Sequence, residues 1–157
     1  MSYTAVKYNR TTTNLNPQIW NQPHFRNLTA TAQWLYLHLT TNPNINPAGV
    51  QTWHPGRIAA TTTDLIPDDI HHAAQELTQH DYITIDPQTE EVAITNYATT
   101  NIWLKTASNG TSTAHAVQNT ASRTIRQKIT KELQQLAKDN PNNTAYHGKA
   151  MRELIDQ

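Results

Sequence analysis

Pro67-Asp68-Asp69-Ile70-His71-His72-Ala73-Ala74-Gln75-Glu76-Leu77-Thr78-Gln79-His80, followed by Tyr82-Ile83-Thr84-Ile85 and Val92-Ala93-Ile94-Thr95, is the stretch that decides the fold. Proline suits a first helical position, where its missing N–H would be unpaired anyway, and two carboxylates oppose the positive end of the helix. Ile70, Ala73, Ala74 and Leu77 recur at helical spacing and predict one buried stripe, which leaves His71, His72, Gln75 and Gln79 outside. After Asp81 the apolar period shortens to two. The runs 82–85 and 92–95 bracket the polar Asp86-Pro87-Gln88-Thr89-Glu90-Glu91, the pattern of a β-hairpin.

Working outward, Leu28, Ala32, Leu35 and Leu39 predict an earlier buried helix with Thr29 as its N-cap. Asn42 to Pro47 cannot continue it, and Ala48 to Trp53 reads as a short strand. Pro55 opens a second helix through Ile58, Ala59 and Ala60, and residues 61–66 form a turn. Helix, strand, helix, turn, helix, hairpin is the order of a winged helix-turn-helix, an α+β fold. Leu35 and Leu77 are expected at the centre of its core.

The expected organisation has four parts: a polar N-terminal arm over 1–27 anchored by Trp20 and Phe25, the winged helix-turn-helix over 28–105, a flexible linker over 106–119, and a C-terminal helical segment over 120–157. The linker is read from its Thr, Ser, Asn and Ala content with Gly110. In the last segment Ile125, Ile129, Leu133 and Leu136 make a narrow apolar stripe, flanked by Arg123, Arg126, Lys128, Lys131 and Lys138. A basic amphipathic helix follows from that pattern. A short final helix is expected to carry Tyr146, Met151, Leu154 and Ile155.

Composition removes whole classes of chemistry. The 157 residues include no cysteine, which excludes disulfides, Cys-ligated zinc, iron–sulfur clusters and thiol catalysis. No glycine-rich phosphate loop and no nucleophile, base and orienting acid stand in a motif, so neither an enzyme nor a cofactor is expected. His72, Glu76 and His80 align at i, i+4 and i+8, but surface histidines are the expected reading and no metal is assigned. Trp34, Tyr36, Trp53, Tyr97 and Trp103 are expected in the core. No run approaches the ~20 apolar residues of a membrane helix, and Met1 to Arg10 holds no apolar run of signal-peptide length. A cytoplasmic protein with no membrane partner is expected.

Charge is segregated although the formal net charge is zero. Residues 1–56 carry three cations and no acid, residues 57–104 carry Arg57 against eight acids, and residues 105–138 carry six cations against Glu132. Such asymmetry suggests that different parts meet different partners.

Ile19-Trp20-Asn21, Phe25-Arg26-Asn27-Leu28-Thr29, Leu39-Thr40-Thr41-Asn42-Pro43, Ala48-Gly49-Val50, Ile58-Ala59, Glu76-Leu77-Thr78-Gln79-His80-Asp81-Tyr82-Ile83 and Ile94-Thr95-Asn96-Tyr97 occur in that order. With them the run from Tyr8 to Leu104 resembles the N-terminal winged-helix domain of phage replication-initiator and replisome-organiser proteins. The resemblance implies double-stranded DNA binding near a replication origin and contact with host replication proteins, and further copies of the chain are expected as an additional partner. Two features depart from the family: the helix at 67–80 carries Asp68, Asp69 and Glu76, and the wing carries Glu90 and Glu91 with no Lys or Arg.

Phosphate contact depends on Lys and Arg, so basic groups elsewhere must compensate for that acidic stretch. Lys7, Arg10, Arg57, Lys105, Arg123, Arg126, Lys128 and Lys131 are expected to hold DNA backbone while His71, His72 and Gln75 touch base edges. The expected function is a phage- or prophage-type DNA-binding protein acting in replication initiation. Two alternatives stand beside it: a winged-helix transcriptional regulator, and a protein-interaction module whose acidic face binds a basic partner.

Overall fold

The computed structural model describes residues 10–100 and 104–157, so the expectations for Lys7 and Trp103 lie outside the described residues. A helical turn at Pro17–Asn21 and α1 (Pro23–Arg26) lead into α2 (Ala30–Thr40), β1 (Val50–Thr52), α3 (Pro55–Ala59) and α4 (Pro67–Gln79). The hairpin β2 (Ile83–Asp86) and β3 (Glu91–Ile94) follows, then α5 (Tyr97–Thr100) and α6 (Ala107–Gln118). The chain closes with α7 (Arg123–Asp139), a turn at Thr144–Tyr146 and α8 (Lys149–Ile155). The fold is mixed α+β. Its antiparallel sheet has the order β1-β3-β2, with Val50 opposite Ala93 and Ile83 opposite Ile94.

Local chemistry sets the element ends. Thr29 caps α2 by accepting the Ala32 N–H at 3.3 Å. At the end of α4 the Tyr82 N–H donates to the Leu77 carbonyl at 2.8 Å and the Asp81 N–H to the Thr78 carbonyl at 3.1 Å. This paired closure needs a left-handed residue between helix and strand, usually glycine. Asp81 takes that place with φ 58°.

Two apolar cores share the sheet. Phe25, Leu35, Leu39, Ile70, Leu77, Ile83, Val92 and Ile94 form the first, between α1, α2, α4 and one face of the strands. Leu35 and Leu77 are fully buried, as the spacing predicts. Val50, Ala93, Leu104, Val117, Ile125, Ile129, Leu133, Tyr146 and Met151 belong to the second, on the other face. The alternation of β3 makes this possible, since Val92 and Ile94 point one way and Ala93 the other. Among the described residues, no helix is long and apolar enough to cross a membrane.

Two expected boundaries need correction. Residues 106–119 are not a flexible linker: Thr106 accepts the Asn109 N–H at 3.2 Å and caps the twelve-residue α6. Gly110, Thr113, Ala114 and Val117 lie buried along one side of it. Small residues let this helix seat closely on the 144–146 turn and α8, and that packing overrides the weak helix propensity of Thr, Ser and Asn. The arm, too, is folded from Pro17 onward, with Phe25 fully buried in edge-on contact with Tyr36 and Tyr82 while Trp20 stays half exposed.

Gly110 sits where a Cβ would come within 1.8 Å of the Ala145 carbonyl oxygen. Glycine-to-alanine exchange inside a helix ordinarily stabilises by about 1 kcal/mol. Here the clash with backbone dominates, and Gly110→Ala is expected to lower stability by about 1–3 kcal/mol. Urea unfolding of the two proteins checks the sign.

Candidate nucleic-acid interface

The first turn of α4 is fixed by Asp69, whose carboxylate accepts the Ile66 N–H at 2.9 Å, and by Pro67 at the first helical position. Ile70, Ala73, Ala74 and Leu77 are buried and lock the rotation of the helix. Asp68, His71, His72, Gln75, Thr78 and Gln79 are left exposed, and among the described residues their side chains have no hydrogen-bond or ion-pair partner. Glu76 behaves differently. Its two carboxylate oxygens accept the Thr29 N–H at 2.9 Å and the Thr29 hydroxyl at 2.6 Å, pinning α4 to the start of α2. The His72, Glu76, His80 row is thereby broken, and among the described residues no group of three or more His, Asp or Glu side chains is placed to hold a metal.

The structure separates the other predicted contact residues. Arg57 is exposed on α3, which packs directly on α4. Arg10 is turned inward, donating to the Tyr97 hydroxyl at 2.8 Å with its guanidinium carbon 5.9 Å from the Tyr97 ring centroid. Lys105 is exposed just before α6. On α7, Arg123 and Lys131 face solvent, but Arg126 donates to the Thr120 carbonyl at 2.6 Å. Lys128 is fully committed: its ammonium donates to Asp81, to the Thr84 hydroxyl at 2.9 Å and to the Thr95 hydroxyl at 3.3 Å.

The acidic hairpin proves to be the seat of α7. Glu91 accepts the Ser122 N–H at 2.7 Å and the Ala121 N–H at 3.1 Å, just ahead of the helix, where the positive helix end favours a carboxylate. Asp86 is held below the ordinary carboxylate range, chiefly by a hydrogen bond from the Ser122 side chain and further by the Gln88 and Thr89 N–H groups. Glu132 reaches back from α7 to accept the Asn96 N–H at 3.2 Å. Burial pushes its carboxyl up, against the opposing pull of that N–H and of Lys128. The signal for these contacts was present in the sequence, because the negative stretch 57–104 and the positive stretch 105–138 are complementary. They meet within one molecule.

With the geometry in view, comparison with known protein families, curated proteins and solved structures finds no match to this chain.

A carboxyl with a raised folded-state pKa is stabilising while neutral, and that contribution is lost as pH rises from the unfolded value of about 4.3 through the folded one. Glu132→Gln keeps an acceptor for the Asn96 N–H and removes the buried charge. The variant is expected to melt at or above the native temperature at pH 7, with the difference shrinking toward pH 4. Melting curves across that range check the outcome, and a lower melting temperature at pH 7 would contradict it.

Proposed function

We propose that α2 through β3 form a winged helix-turn-helix that presents α4 to the major groove of double-stranded DNA, and that the protein acts in phage- or prophage-type replication initiation. The observation that carries the reading is the outward row of α4, where Asp68, His72, Gln75 and Gln79 are exposed and make no side-chain hydrogen bond to any other described residue. Most other polar groups of this region are spent internally. Asp69, Glu76, Asp81, Asp86 and Glu91 all accept hydrogen bonds inside the molecule, which engages much of the acidic stretch internally and favours α4 over a basic protein partner.

The chemistry of the row suits base edges. Glutamine pairs bidentately with adenine in the major groove, and histidine can donate to guanine or adenine N7. Arg57 on the adjoining α3 supplies a phosphate contact. The resemblance of the run from Tyr8 to Leu104 to phage initiator domains supports the replication role. With so few free cations near α4, binding through this face should lean on hydrogen bonds more than on counterion release.

Gel-shift titration tests the reading. Selection from random duplexes is expected to enrich a defined site, bound with a shallow salt slope of about −1 to −3, since each neutralised phosphate contributes about −0.9. Gln75→Ala and Gln79→Ala should each cost about 1–3 kcal/mol on that site, the worth of a good bidentate pair, and relax its sequence. Failure to enrich any duplex at low salt would reject DNA binding by α4. Enrichment of a strictly palindromic site would move the assignment to a dimeric transcriptional regulator.

A further inference from the structure

The basic face of α7 and the outward row of α4 lie on opposite sides of the sheet. β3 sends Val92 and Ile94 into the core that holds α4, and Ala93 into the core that holds α7. Lys128 reinforces the order of layers by reaching Thr84 and Thr95 from the α7 side. Stacked layers are spaced on the order of 10 Å, which puts the two helix axes about 20 Å apart with the sheet between them. A straight duplex seated on α4 cannot also touch the outer side of α7.

That outer side is a clean cationic ridge. Arg123, Gln127, Lys131 and Lys138 fall on the side opposite the buried Ile125, Ile129 and Leu133, and all four are exposed. Among the described residues the side chains of Arg123, Lys131 and Lys138 have no hydrogen-bond or ion-pair partner, whereas Arg126 and Lys128 are spent on internal contacts. No acid of α7 falls on this side, and Asp156 of α8, which lines the groove beside Lys138, is paired with Arg152 at 3.0 Å. Glu132 is turned inward to Asn96, and Asp139 lies at the C-terminal end, accepting from Gln135 at 2.9 Å. At 1.5 Å per residue, Arg123 and Lys131 stand about 12 Å apart and Lys131 and Lys138 about 10 Å apart. The first spacing is close to the width of the major groove, so a helix laid across it reaches phosphates on both banks. Cations of this kind bind backbone without reading sequence.

We propose that the ridge of Arg123, Lys131 and Lys138 is a second DNA surface, and that one molecule bridges two duplex segments, one read by α4 and one held through its backbone by α7. The proposal rests on the reading of α4 given above. It assigns the two faces different chemistry, since the α4 face is sequence-selective and weakly salt-dependent, and the α7 face is indifferent to sequence and steeply salt-dependent.

The test is a two-duplex capture with the full chain. A duplex carrying the site selected by α4 is fixed on beads, and a fluorescent duplex of unrelated sequence is added with the protein at low salt. The native protein is expected to retain the fluorescent duplex. The triple variant Arg123→Ala, Lys131→Ala, Lys138→Ala, its fold checked by its melting curve, should bind the selected site within about twofold of native and capture the second duplex at least tenfold less. Capture by the triple variant equal to native would overturn the proposal, because the second duplex would then be held by groups other than the ridge. A loss of affinity for the single selected duplex, with no capture by the native protein, would also overturn it, since both faces would then grip one bent duplex. The variant His72→Ala, Gln75→Ala, Gln79→Ala separates the two readings. If it binds the selected site as well as native while the ridge variant does not, the α4 reading fails; if it loses the site while native protein shows no capture, only the bridge fails.

Discussion

A strand of four residues, Glu91 to Ile94, is the wall on which both halves of this molecule lean. It is the central strand of the sheet, paired with β1 on one side and β2 on the other. Its side chains divide between two cores, and Glu91 at its start accepts the N–H groups that precede α7. Central strands buried on both faces normally read as continuous apolar runs. Here the face toward α7 is served by Ala93, whose small side chain lets Ile125 and Ile129 come close.

The same economy explains the charges. Taking a carboxylate out of water is costly unless it is hydrogen-bonded or paired, and Asp81, Asp86, Glu91 and Glu132 beside the sheet each accept from a donor within the chain. Lys128 illustrates the arrangement: one ammonium satisfies Asp81, which holds the left-handed corner after α4, and the hydroxyls of Thr84 on β2 and Thr95 just past β3. The corner that ends the candidate recognition helix and the helix that covers the sheet are thus joined by a single side chain. What looked in the sequence like an acidic half and a basic half awaiting separate partners is in large part a matched pair, and α4's outer row and α7's outer ridge are among the groups left over.

The legible parts of the fold were those written in large apolar residues or punctuated by proline. Ile70 and Leu77 announced α4, Pro55 and Pro67 opened their helices, and the alternation of Ile83, Ile85, Val92 and Ile94 announced the hairpin. Helix α6 escaped because its buried side is made of Gly110, Thr113, Ala114 and Val117. Their spacing is helical, but their composition is that of a loop, and the low apolar volume hid the period. For the candidate interface, the exposure of His71, His72 and Gln75 could be read from the helical period alone. The diversion of Arg10, Arg126 and Lys128 to internal partners could not, because it depends on contacts between residues distant in sequence, such as the 47-residue separation between Asp81 and Lys128.

The buried outer face of the sheet also limits how this protein can be divided. Cutting the chain ahead of α6 would uncover Ala48, Val50 and Ala93 and strip Glu91 and Asp81 of their donors. The helix-and-hairpin portion is therefore no free-standing cassette that recombination could graft onto an unrelated tail. A gene exchanging one half must bring a tail with small side chains at the strand contact, an open helix start for Glu91 and a cation for Asp81.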